Sequence, residues 1–173
     1  DFVAALKAGW LRAAEELIEK KYGITGDGDE FKLIVNEEDS SGSYAAYVMA
    51  YGSGDVTEMV FDMPDFTAPY AFPSSDGSLY FTDRTVAHEL VHAVQARNIF
   101  NSDVDGDGAY WGGTWFKEGI AELIHGADFR VKSEIDGGKS PQEIVDAIGT
   151  GDESWTSSTQ YASGYVAVRY LHD

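Results

Sequence analysis

The chain contains no cysteine, which excludes disulfides, thiolate metal sites and cysteine nucleophiles, and leaves histidine and carboxylate as the means of holding a transition metal. Basic residues are scarce: 12 Lys and Arg stand against 30 Asp and Glu, a formal net charge of −18. Such a surface repels phosphate backbones and anionic lipid headgroups, so neither nucleic acid nor a membrane is expected as a partner. Long apolar runs are also missing. None approaches the roughly 18 consecutive residues that a membrane helix needs, and no segment has the charged-then-apolar order of a signal peptide. Position 1 is Asp1 rather than methionine, as expected of a piece of a longer polypeptide. Neither an internal repeat nor a low-complexity tract is visible. What is present, 173 residues with 43% hydrophobic and 24% charged positions, fits one soluble globular domain or two lobes sharing a core.

Apolar periodicity divides the chain into two parts. From Phe2 to Tyr22 the residues Val3, Leu6, Trp10, Leu17 and Ile18 recur at three- and four-residue steps, predicting an amphipathic helix that ends near Gly23. Three stretches rich in β-branched and aromatic residues follow, Phe31–Asn36, Tyr44–Tyr51 and Val56–Met63, and read as a β-meander. Pro64, Pro69 and Pro73 then predict an extended loop, with one more short strand at Ser78–Thr82. Beyond this point the pattern is helical: Thr85–Phe100, Thr114–Phe129, a segment opened by the capping sequence Ser140-Pro141-Gln142-Glu143 and ending near Gly149, and a last helix from about Ser158 to Leu171. The expected class is α+β: an N-terminal lobe of about 1–100 with a helix, a small mainly antiparallel sheet and a central helix, and a helical C-terminal lobe of about 101–173.

The sharpest chemistry lies at His88-Glu89-Leu90-Val91-His92. Residues four apart share one face of a helix, so both imidazoles can reach one zinc ion at about 2.0–2.1 Å, with Glu89 beside the water that such an ion activates. Val86, Leu90, Val91 and Val94 give the same helix a buried side away from the histidines. Catalytic zinc characteristically takes three protein ligands, and Trp115-Phe116-Lys117-Glu118-Gly119-Ile120-Ala121-Glu122 offers the third in Glu118. Phe116, Ile120, Leu123 and Ile124 lie on one face of this second helix, and Glu118 with Glu122 on another. Gly119 would permit close approach to the histidine helix, and Glu122 is suited to accept the free ring N–H of a ligand histidine. The bland alternatives are two packed histidines and a solvated pair of glutamates.

At these residues the sequence resembles the gluzincin metallopeptidases, whose third ligand is a glutamate on a separate helix within an aromatic-x-x-Glu-Gly-x-Ala-Glu pattern. Gln95 and Asn98 are followed by no third histidine at the spacing of the longer metzincin pattern. The 25 residues between His92 and Glu118, positions 93–117, are more than thermolysin-like enzymes have and resemble the bacterial collagenase branch. Arg84–Arg97, including Gln95 and Arg97, and the segment Ser75–Thr82 are similar to that branch, so that the resemblance spans roughly Ser75–Leu171. Within it the chain is similar to the flagellinolysins, collagenase-related protease domains carried in the exposed region of some bacterial flagellins. The resemblance implies a zincin fold, Zn²⁺ on His88, His92 and Glu118, Glu89 as general base, a protein or peptide substrate, and an extracellular place on a flagellar filament as part of a flagellin polymer.

The resemblance also points to an oxyanion donor. Tyr161-Ala162-Ser163-Gly164 is similar to the Tyr-x-x-Gly pattern from which some gluzincins present their tyrosine, making Tyr161 the first choice; Tyr165 is its rival, and His125 or His172 are lesser alternatives. Between the two metal-site helices, Asp103-Val104-Asp105-Gly106-Asp107-Gly108 matches the first half of a calcium loop, but Thr114 stands where the acidic twelfth residue belongs. Asp103, Asp105 and Asp107 therefore read either as Ca²⁺ ligands or as an ion-free acidic turn. The sequence as a whole reads as a zinc endopeptidase. A non-catalytic, metal-stabilised display or adhesion module is the alternative; it would have no use for Glu89.

Overall fold

The computed structural model describes residues 2–24, 28, 30–38, 45–50, 56–63, 82–96, 113–151 and 155–173. It divides into two compact units, residues 1–109 and 110–173. Among the described residues no helix is long and apolar enough to cross a membrane.

The first unit opens with a helical run made of α1 (Phe2–Ala5), a π-helical turn (Leu6–Trp10) that kinks at Gly9, and α2 (Leu11–Tyr22). Its apolar stripe buries Phe2, Leu6, Ala14 and Ile18, and Gly23 ends it in the left-handed conformation, φ 68°, that glycine adopts without a Cβ penalty. Three strands follow: β1 (Lys32–Asn36), β2 (Ala46–Ala50) and β3 (Val56–Asp62).

The expected meander does not form. The sheet order is β1-β3-β2, with β1 parallel and β2 antiparallel to β3, so the expected mainly antiparallel sheet has one pairing of each kind among the described strands. Burial explains the order. Met59, Val60, Phe61 and Asp62 are buried in succession, and a strand covered on both faces belongs between two others. Asp62 is paired within this core, accepting a 2.6 Å hydrogen bond from Asn36 Nδ2 at the matching register position of β1. The last described helix of the unit, α3 (Thr82–Gln95), packs against β2 and α2 and buries Val86, Leu90, Val91 and Val94. Thr82 begins this helix, so it does not belong to the strand expected at 78–82; residues 78–81 lie outside the described ones, as does Asp103–Gly108.

The second unit is helical: α4 (Gly113–His125), α5 (Asp128–Asp136), α6 (Pro141–Asp146) and α7 (Ser158–His172), with α4, α5 and α6 all packed on α7. The helix expected at Thr114–Phe129 is broken at Gly126, whose φ of 71° ends α4 and lets α5 turn away. The start at Ser140 is a full capping box: the Ser140 hydroxyl accepts from the Glu143 N–H, and the Glu143 carboxylate accepts from the Ser140 N–H at 2.8 Å. Ser157 and Gln160 do the same for α7.

Candidate active site

The candidate residues fall in both units, with His88, Glu89 and His92 on α3 of the first, and Glu118, Glu122 and Tyr161 on α4 and α7 of the second. On α3 the four-residue spacing does what a 3.6-residue turn requires. His88 and His92 stand one above the other, ring centroids 4.7 Å apart and edge to face, with their Nε2 atoms 3.0 Å from each other. Two imidazole nitrogens sharing a zinc ion at the tetrahedral angle lie about 3.3 Å apart, so the pair fits the ion after a small opening. Tautomer chemistry points the same way. His92 Nδ1 lies 3.1 Å from Oε1 of Gln95, and since an amide oxygen only accepts, Nδ1 carries the proton and Nε2 keeps its lone pair toward His88. Gln95 is 1% exposed, and a side chain locked by burial can hold that ring in place. Glu89, between the histidines in sequence, is itself buried at 7% exposure.

In the second unit, the side of α4 that carries Glu118 and Glu122 is not a solvated face. Glu118, Gly119, Ala121, Glu122 and Ile124 are its buried residues, whereas Phe116, Ile120 and Leu123 are half-buried. Burying carboxylates costs several kcal/mol each unless a cation compensates. Glu122, fully buried, accepts two hydrogen bonds from Arg130 of α5: Nε to Oε2 at 2.8 Å and Nη2 to Oε1 at 3.0 Å. His125 Nε2 lies 3.8 Å from the same carboxylate. Glu118 has Lys117 Nζ 3.2 Å from Oε1, and Lys117 is the more exposed partner. This placement of anionic oxygens under cover is what a hard or borderline cation requires of a ligand.

The neighbour that requires glycine at position 119 is α7. A Cβ there would meet the Gly164 carbonyl oxygen and Val168 Cγ2, each at 2.5 Å. Helix α7 brings up both tyrosines. Tyr165 is buried, and its hydroxyl accepts from Arg169 Nη1 at 2.7 Å; burial above all pushes its ionisation up. Tyr161 is half-buried, with the Arg130 guanidinium over its ring at 5.3 Å and the Trp155 edge on it at 5.9 Å. Of the lesser donors, the His125 side chain is buried beside Phe129, and His172 is exposed beside Asp173 at the end of α7.

Residues 72–173, more than half of the chain, match the model of the Peptidase M9 family, described as collagenase. The chain belongs to the collagenase peptidase family. The matched span takes in α3 and every described element of the second unit, while the sheet and the N-terminal helices precede it. No curated protein and no solved structure matches the chain significantly. Membership in the collagenase family implies a metallopeptidase, a metal ion that is usually zinc, and a protein substrate. Sequence reasoning did not assign Arg130 to the site. It stands one residue beyond the helix expected at Thr114–Phe129 and carries no motif of its own.

Proposed function

We propose that the chain is a zinc endopeptidase of the gluzincin kind, with a zincin fold, in which His88, His92 and Glu118 hold the ion. The observation that carries this reading is the pair of Nε2 atoms 3.0 Å apart with Gln95 setting the tautomer, on the helix that also buries Glu89. Burial of Glu118 and its place in the matched family span support it as the third ligand. Bound zinc would supply Lewis acidity, lowering the pKa of water at the site toward ~7 and polarising the scissile carbonyl.

The chain's own residues do the rest. Glu89 takes a proton from the attacking water and delivers it to the departing amine, acting as base and then as acid. Tyr161 donates its hydroxyl hydrogen bond to the carbonyl oxygen as that oxygen becomes negative. The direct bond from Arg169 to the Tyr165 hydroxyl favours Tyr161 over Tyr165 for this role. Glu122 serves as an anionic support behind the ligands, its charge matched by Arg130. Location on an extracellular flagellar filament, within a flagellin polymer, is proposed on the sequence resemblance alone, and Ca²⁺ at Asp103, Asp105 and Asp107 on the alternating aspartates alone. Chelation tests the function: cleavage of denatured casein should stop when the metal is removed and return with zinc. Cleavage that persists without metal contradicts the proposal.

A further inference from the structure

Arg130 joins two residues to which the proposed function gives separate roles, and the inference rests on that reading for Tyr161. The edge of its guanidinium forms the two-point pair with Glu122 on α4, while the group lies over the Tyr161 ring on α7, 5.3 Å from the centroid. The Arg130 side chain is 14% exposed and that of Glu122 is 1% exposed, so water competes little for either contact. Trp155, 4% exposed, meets the Tyr161 ring edge-on, and Trp155 is itself seated against Gly164, where a Cβ would come within 2.6 Å of the indole. The Tyr161 ring is thus fixed by a cation and an indole. Tyr165 also has an arginine over its ring, Arg169 at 5.8 Å from the centroid, but there the same guanidinium bonds the hydroxyl directly.

We propose that Arg130 is a positioning residue: one planar guanidinium clamps Glu122 and sets the ring of Tyr161, so that the oxyanion donor is held in place by the group that neutralises the buried carboxylate. A cation against the ring also favours the negative charge that a phenol gains as it donates a strong hydrogen bond. Only arginine offers both a two-point fork and a stacking plane; a lysine supplies charge alone.

The test compares Arg130→Lys, Tyr161→Phe and the double variant of the zinc-loaded protein on denatured casein, and records near-ultraviolet circular dichroism of the same proteins without metal. Arg130→Lys should lower kcat about tenfold with KM within about twofold, a smaller loss than the roughly hundredfold that a full 1 Å misplacement brings. In the Tyr161→Phe background the same change should add no loss. The aromatic dichroism of Arg130→Lys should fall while its far-ultraviolet spectrum is kept. Unchanged aromatic dichroism, an unchanged kcat, or an equal loss with and without Tyr161 each overturns the proposal. The dichroism is read without metal or substrate, so it decides the positioning claim separately from any failure of the peptidase reading. Should Arg130→Lys not fold, Arg130→Met is made in a Glu122→Gln background and compared with Glu122→Gln alone, so that no buried carboxylate is left unpaired and the same outcomes decide.

Discussion

Replacing Gly119 with alanine sets two physical effects against each other. Alanine gains about 1 kcal/mol over glycine in a helix interior, so on propensity alone Gly119→Ala would stabilise α4. Packing opposes this. The new Cβ would lie 2.5 Å from the Gly164 carbonyl oxygen and 2.5 Å from Val168 Cγ2, and the first of these is backbone that no side-chain rotation can move away. Overpacking costs about 1–3 kcal/mol, and a backbone contact places this site in the upper part of that range, about 2–3 kcal/mol, so the expected net change is a loss of about 1–2 kcal/mol. At roughly 2–4 °C per kcal/mol for a chain of this size, the thermal midpoint of the metal-free protein should fall by about 2–8 °C. Thermal melts followed by circular dichroism at 222 nm would show it. Val168→Ala in the same protein should not rescue the loss, because the carbonyl contact remains. A midpoint equal to or above that of the parent would refute the claim that α4 and α7 meet at Gly119 as closely as described.

Three further outcomes are expected. Gln95→Leu keeps the buried volume but removes the acceptor for His92 Nδ1, and should weaken zinc binding by about 10–100-fold in calorimetric titration; equal affinity would show that the ring needs no such partner. Glu118→Ala should weaken zinc in the same titration, and unchanged affinity would reject Glu118 as a ligand. The backbone N–H of Ser140, followed by its hydroxyl, holds the Glu143 carboxyl below its ordinary value of 4.5. A depressed folded pKa stabilises above the unfolded value and loses that contribution as pH falls through the folded one, so Glu143→Ala should lower the melting midpoint at neutral pH and not in strong acid; a difference that persists in acid would count against the capping box.

Local features were legible in the sequence. Gly23, the Ser140-Pro141-Gln142-Glu143 start and the four-residue spacing of His88 and His92 each act through neighbours within one or two turns. Gly126 was not legible, because apolar Ala127 and Phe129 prolong the periodicity and nothing local separates a glycine at positive φ from Gly119, which sits inside its helix. Strand order escaped for a different reason. Pairing β1 with β3 is a long-range choice set by which strand is buried on both faces, and three short apolar runs do not reveal it. The candidate site was read from residue types and spacing, but not the environment of Glu118 and Glu122, since two glutamates one turn apart look the same whether solvated or buried. Arg130, eight residues beyond Glu122, would stand two turns away on a continuous helix and reaches that carboxylate only because the chain breaks at Gly126.

Proton transfer by Glu89 in a metal-dependent peptide hydrolysis is decided by Glu89→Gln, with zinc content and casein cleavage measured on the same sample. Zinc should be bound as in the parent, with an unchanged far-ultraviolet spectrum and cleavage nearly abolished. Cleavage at the parent rate with zinc in place would contradict it.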